Sequence, residues 1–191
     1  VKLLVLDTET SGTDPQVHSL LTIGALVWDD GTFGDEIELR VVEREMVIDA
    51  EAMAINRINI DLHRRGGIEP RLAATELSSF VRRHFFGPHG PDPAVLCGHN
   101  IAFDIGFLKR LFNLAEIRYD LYFSHRALDT ASVLRFLALA RRIPPDLVSS
   151  SKAFAHFGIQ FSHDTRHTAL GDARATAELL NRLIELERTP L

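Results

Sequence analysis

One cysteine in 191 residues, Cys97, leaves no partner for an intramolecular disulfide and points to a reducing, cytoplasmic setting. It sits in an apolar run, as a buried structural thiol does. No apolar run approaches the roughly 20 residues that a membrane-spanning helix needs. Leu3–Leu6 is too short for a signal-peptide core and leads straight into Asp7, so neither a targeting segment nor a membrane partner is read. Because the numbering begins at Val1, an initiator methionine is expected ahead of it. Basic charge is also scarce. With 21 Lys and Arg against 26 Asp and Glu the net charge is −5, which argues against a broad basic surface gripping nucleic acid. The basic pairs Arg64-Arg65, Arg82-Arg83, Lys109-Arg110 and Arg141-Arg142 read singly as solvated helix faces, with some available to line a phosphate track. Repeats and low-complexity tracts are missing too. At 46% hydrophobic and 25% charged, the chain suits one globular domain spanning residues 1–191.

What is present is a change of period along the chain. Lys2–Leu6 is a continuous apolar run, as in a strand buried on both faces. Leu20–Trp28 and Phe33–Val42 flank the turn signal Asp29-Asp30-Gly31-Thr32, which predicts a hairpin. In its second arm Ile37, Leu39 and Val41 alternate with Glu36, Glu38 and Arg40. Helical spacing then predicts helices over Glu51–Arg57, Pro70–Phe85, Ile101–Asn113, Leu128–Ala140, Ser149–Phe157 and Thr168–Glu187, with a short strand Ala94–Cys97 after the breaker Gly87–Pro93. This pattern predicts an α/β fold, a mixed central β-sheet flanked by α-helices.

Three short motifs carry the chemistry. Asp7 and Glu9 follow the first strand and share a face if extended geometry persists past Leu6. Taken alone, they are as well explained as turn carboxylates. Asp104 lies in the first turn of its helix, where the dipole favours acid, yet its spacing from Leu108 and Leu111 turns it toward packed structure. Asn100 is read as that helix's N-cap. His167 and Asp172, five apart, would diverge on a continuous helix, so a shared site places His167 in the loop before the helix, with Thr168 near the cap. An imidazole there suits general-base work. Converging carboxylates repel unless protonated or bound to cations. An all-oxygen set suits Mg²⁺ or Mn²⁺, and two such ions about 4 Å apart support phosphodiester cleavage, with Asp7 on the central strand as the natural bridging ligand. A rival zinc set would take His163, His167, Cys97 and His99, but nothing ties its two halves together. The remaining histidines, His63 among them, form no ligand pattern and read as surface or packing residues.

Leu6-Asp7-Thr8-Glu9-Thr10-Ser11-Gly12, His99-Asn100-Ile101-Ala102-Phe103-Asp104 and His167-Thr168-Ala169-Leu170-Gly171-Asp172-Ala173, in this order, resemble the motifs of the DEDDh 3′→5′ exonucleases. This is the DnaQ-like group that includes the proofreading subunit of bacterial DNA polymerase III, ribonuclease T and oligoribonuclease. The likeness extends to Ile23-Gly24-Ala25 and Leu128-Asp129-Thr130; Thr22 departs from it, standing where many relatives carry glutamate. The resemblance implies an RNase H-like fold and a two-metal mechanism with Mg²⁺ or Mn²⁺. Asp7 would bind both ions, Glu9 and Asp172 would complete one site, Asp104 would support the other, and His167 would deprotonate the attacking water. Thr10 and Phe103 would contact the terminal nucleotide. The expected partner is the 3′ end of single-stranded DNA or RNA, DNA slightly favoured, with nucleoside 5′-monophosphates released. Trimming of RNA in the manner of oligoribonuclease or ribonuclease T is the alternative. A catalytically silent binding module and a hydrolase of small phosphoesters are rivals from other classes. No polymerase-binding tail or clamp motif is recognised, so a stand-alone enzyme or the catalytic part of a longer chain is expected rather than a polymerase partner; oligomeric state stays open.

Overall fold

Strand β1 (Lys2–Thr10) is the axis of the molecule. The computed structural model describes residues 1–88, 90–160 and 168–188. On one side β1 pairs antiparallel with β2 (Leu20–Asp29), which pairs antiparallel with β3 (Thr32–Arg40). On its other side lie β4 (Ala94–Gly98) and then β5 (Phe123–Asp129), both parallel, giving the order β3-β2-β1-β4-β5. The mixed α/β sheet expected from the sequence is present.

Side chains alternate across this sheet, and each face has its own cover. Leu4, Leu6, Ile23, Ala25 and Leu96 face α3 (Pro70–Phe85) and α4 (Ala102–Leu114), whose Leu77, Phe80, Phe107, Leu108 and Phe112 complete the larger core. Leu3, Val5, Leu26, Trp28 and Cys97 face α7 (Ala169–Arg188). That helix presents Ala173, Ala177 and Leu180, small enough at two of three positions for close contact. Trp28 Nε1 donates to Asn181 Oδ1 at 2.7 Å, and Asn181 Nδ2 donates to the Gly31 carbonyl at 2.9 Å, fixing the middle of α7 to the hairpin. A satellite core joins α7 to α5 (Thr130–Leu139) and α6 (Ser150–His156) through Leu134, Leu137, Phe154 and Leu179.

The short helices α1 (Ala50–Asn56) and α2 (Ile60–Gly66) lie between β3 and α3 and are capped by Asp49 and Asn59. The sequence reading lacks α2: seven residues with only His63 buried show no apolar stripe. It also lacks β5, assigning a helix from Leu128. The structure continues the strand to Asp129, whose carboxylate then caps α5 by accepting from the Ala131 amide. Ser124, His125 and Arg126 make this edge strand polar, so the period-two signal fails. Among the described residues, no helix is long and apolar enough to cross a membrane.

Candidate active site

Extended geometry does persist past Leu6, and this places the first two carboxylates. Asp7 and Glu9 continue the face that carries Leu3 and Val5, opposite Gly24 and Thr22 of β2. α7 begins directly over this region because residue 24 is glycine. A Cβ there would stand 2.0 Å from the Leu170 nitrogen and 2.2 Å from the Ala169 carbonyl carbon, both backbone atoms that cannot yield. The Thr168 hydroxyl accepts from the Gly171 amide at 3.1 Å, capping the helix as its position ahead of α7 predicts. Asp172 in the first turn therefore comes down beside Asp7 and Glu9. One carboxylate oxygen from each of the three lies within 4.8 Å of the others.

Asp104 arrives from the opposite face. β1 pairs with the shorter β4 at Leu4–Leu96 and Val5–Cys97, and α4 brings its first turn to the overhanging end of β1. Asp104 is 4% exposed and accepts from the Thr8 hydroxyl at 2.7 Å. Its burial on the stripe with Leu108 and Leu111 is as expected, but the cap is not. Asn100 stands before the helix at φ 61°, a left-handed conformation that asparagine tolerates, and its amide donates to Asp129 Oδ1 at 2.7 Å. The loop is held further by Thr130, whose hydroxyl donates to the Gly98 carbonyl and lies 3.1 Å from His99 Nδ1. The resemblance includes Asp129; its bond to the second motif appears only in three dimensions.

The end of β1 is held as firmly. Register slips by one residue between Glu9 and Thr10, a bulge with Leu21 of β2 as the extra residue, and Thr10 pairs with Leu20 beyond it. Asn56 of α1 supplies a bond there: its Nδ2 donates to the Thr10 carbonyl at 2.9 Å, while its Oδ1 accepts from the Ile58 amide. The Asp49 amide donates to the Ser11 carbonyl, and the Ser11 hydroxyl donates to the Val47 carbonyl. The Thr10 hydroxyl donates to the Gly12 carbonyl at 2.7 Å. Asn56 carries no sequence motif; its partner is 46 residues away. Phe103, the other expected nucleotide contact, is 38% exposed with its ring 5.0 Å from that of Phe107. His167 and His163 lie outside the described residues.

Acidic charge is concentrated where these carboxylate side chains meet. Among the described residues no lysine or arginine forms an ion pair with Asp7, Glu9 or Asp104. Burial, then the charges of Asp104, Asp172 and Glu9, hold Asp7 well above the usual carboxylate range. Burial, then Asp172 and Asp104, push Glu9 up to about 8. Burial pushes Asp104 up to about 7 against the opposing bonds from Thr8 and the backbone. A cation would relieve this, and four oxygen donors of this hardness fit a divalent ion. The zinc alternative fails on its cysteine: Cys97 is buried in the core under α7, and burial pushes its thiol up to about 12. Three of the four basic pairs have one arginine engaged within the fold. Arg110 holds Glu43 at 2.6 Å, Arg82 reaches the Tyr122 hydroxyl, and Arg142 reaches the Leu186 carbonyl.

Comparison with known proteins agrees with this geometry. A family model described as exonuclease matches residues 4–180. Ribonuclease T of Wigglesworthia glossinidia brevipalpis is 29% identical over 187 residues, covering 95% of this chain and 83% of that protein. Among solved structures, Escherichia coli exonuclease I in complex with a dT13 oligonucleotide superposes with a TM-score of 0.77 at 18% identity, covering 94% of this chain and 40% of that one. The zinc-bound form of an exonuclease I–single-stranded DNA complex from E. coli gives 0.78 at 19% identity, covering 98% and 41%. The chain thus spans about two fifths of the length of these exonuclease I chains, and shares with them the RNase H-like fold.

Proposed function

The chain belongs to the exonuclease family, and we propose that it removes nucleotides one at a time from the 3′ end of a single strand, releasing nucleoside 5′-monophosphates. The observation that carries this reading is the convergence of Asp7, Glu9 and Asp172 within 4.8 Å, beside the buried Asp104. The family and this cluster make divalent-metal dependence the chemistry of the site. The finer reading is two ions, Mg²⁺ or Mn²⁺: Asp7, Glu9 and Asp172 would hold one, and Asp7 with Asp104 the other. Bound there, divalent ions supply positive charge for the cleaved phosphate and acidify the attacking water.

The chain's own residues do the rest. Gly24 and the Thr168 cap fix α7, so Asp172 meets Asp7 at one distance rather than a range. The bond from Thr8 sets the rotamer of Asp104. Phe103, with its half-open ring, is the surface offered to the terminal nucleotide, and Thr10 would stand behind it, buried with its carbonyl taken by Asn56 and its hydroxyl by Gly12. His167 is the proposed base on its place in the third motif. His167→Ala is expected to lower turnover by about 10²–10⁴-fold while leaving Mn²⁺ affinity intact.

The defining experiment digests 3′-labelled and 5′-labelled single strands of DNA and RNA with and without Mn²⁺. A 5′-labelled ladder that shortens stepwise from the 3′ end supports the reading; internal cuts, or no attack on any polymer, overturn it. DNA is slightly favoured as substrate. The second reading, trimming of RNA ends, is supported by the likeness to ribonuclease T along 83% of that protein.

A further inference from the structure

From Glu9 the α7 side of the sheet opens into a trough whose lining beyond Glu9 and Thr168 has no part in the roles above. Its cavity of about 710 Å³ lies within the range of small-ligand sites, roughly 300–1,000 Å³. The floor is a single row across three strands: Glu9 opposite Thr22, and Thr22 opposite Arg40. With strands about 4.8 Å apart, the Arg40 backbone stands on the order of 10 Å from that of Glu9. α7 starts over Gly24, one row short, so its helical turns leave this row open; α2 forms the wall with Asn59, Leu62 and His63.

Several observations fit this trough to an anion. Among the described residues no side-chain hydrogen bond or ion pair engages Arg40, whereas the neighbouring Arg174 is bound through two nitrogens by Glu36. Arg40 lies along α2: its Nη1 is 2.9 Å from where a Cβ on Gly66 would stand, so the guanidinium rests against the last residue of that helix. The Thr22 hydroxyl in the floor is buried and has no hydrogen-bond partner among the described residues. His63 adds no charge. Its Nε2 donates to the Val41 carbonyl at 2.8 Å, and burial holds its pKa below the ordinary value. Glu38, also at the rim, lies in the field of Arg174.

We propose that this trough is a second phosphate subsite for the bound strand, with Arg40 as its cation and the Thr22 hydroxyl as a neutral donor. The assignment rests on the exonuclease reading. It extends the track of the strand past the carboxylates, onto a surface where one arginine supplies what a net charge of −5 otherwise withholds. The phosphate has two sources: an internal linkage next to the cleaved one, or a phosphate on the 3′ terminus itself.

The test measures binding of a short single-stranded oligonucleotide in EDTA across a salt series, for wild type, Arg40→Ala and Arg40→Lys. Arg71→Ala, an exposed change on α3 at the other face, is the control. Arg40→Ala is expected to weaken binding roughly tenfold and to lower the slope of log K against log salt by about 0.7, the value for one phosphate on a single strand. Arg40→Lys should restore the slope, and Arg71→Ala should leave it unchanged. Three oligonucleotides separate the sources: an unmodified strand, one with a neutral methylphosphonate next to the scissile linkage, and one with a 3′-phosphate. An Arg40 effect abolished by the methylphosphonate supports the internal linkage, and an effect confined to the 3′-phosphate supports the terminal group. Identical affinities and slopes for wild type and Arg40→Ala on all three strands overturn the subsite. Wild type that digests no strand with Mn²⁺ overturns the exonuclease reading instead, whatever Arg40 does.

Discussion

The two faces of β1 are made from one nine-residue strand yet serve opposite ends. Toward α3 and α4 it presents Leu4 and Leu6 and then Thr8, whose hydroxyl is spent on Asp104. Toward α7 it presents Leu3 and Val5, then Asp7 and Glu9. The first half of each face is fully committed to core, and that commitment sets the register. A slip of one residue would bury both acids under α3 and α4 and turn Leu4 and Leu6 toward α7. The acidic half is thus positioned by the apolar half, and the cost of crowding carboxylates is carried by a strand that has no freedom to move away.

Breaking the two faces separately should separate activity from folding. Asp7→Ala is expected to reduce Mn²⁺-dependent digestion by on the order of 10³-fold or more with the fold intact, measured as initial rate and by thermal melting. Activity near that of wild type would remove the site assignment. Leu6→Ala, one residue away on the other face, should do the reverse: a loss of about 2–5 kcal/mol of stability in denaturant melts, with turnover per folded molecule largely kept. Gly24→Ala couples the faces. Its methyl meets the backbone at the start of α7, so about 1–3 kcal/mol of destabilisation and a fall in turnover should appear together, as Asp172 is displaced. An unaltered rate would show that α7 tolerates the shift.

The smallest effect sharpens the comparison through protons. Glu9 moves from 4.5 in a free chain to about 8, and Asp104 from 3.8 to about 7, so the folded protein binds more protons than the unfolded chain between those values. Stability of metal-free protein should therefore fall as pH rises from about 4 to about 8. Melting temperatures in EDTA should drop by several degrees from pH 5 to pH 8, and Mn²⁺ should flatten the trend. A melting temperature that climbs over this interval would mean that the acidic half is not crowded as described.

The sequence made legible whatever depended on local period. The apolar run ending in Asp7-Thr8-Glu9, the helix stripe of Asp104, and the break before Asp172 are all readable from spacing. An asparagine before a helix has two uses, and only the Asp129 carboxylate, 29 residues from Asn100, selects the left-handed one over the cap. β5 and α2 are not legible in the sequence because each presses too little apolar surface on the core to show a period. Arg40 looked like the polar side of an alternating strand, as it is. Its open trough exists only because α7 starts where it does and α2 closes the side.

Cys97 has a practical consequence. Its sulfur sits under α7, where burial pushes the thiol pKa up to about 12, so in the folded protein it is a poor target for maleimides and other thiol reagents at neutral pH. The native chain is therefore silent toward thiol-directed labels without any cysteine being removed. A reporter attached through Arg65→Cys on α2, or through Arg57→Cys just after α1, would be the sole label and would stand at the rim of the strand's proposed track. Motion of a bound strand could then be followed on the unaltered core.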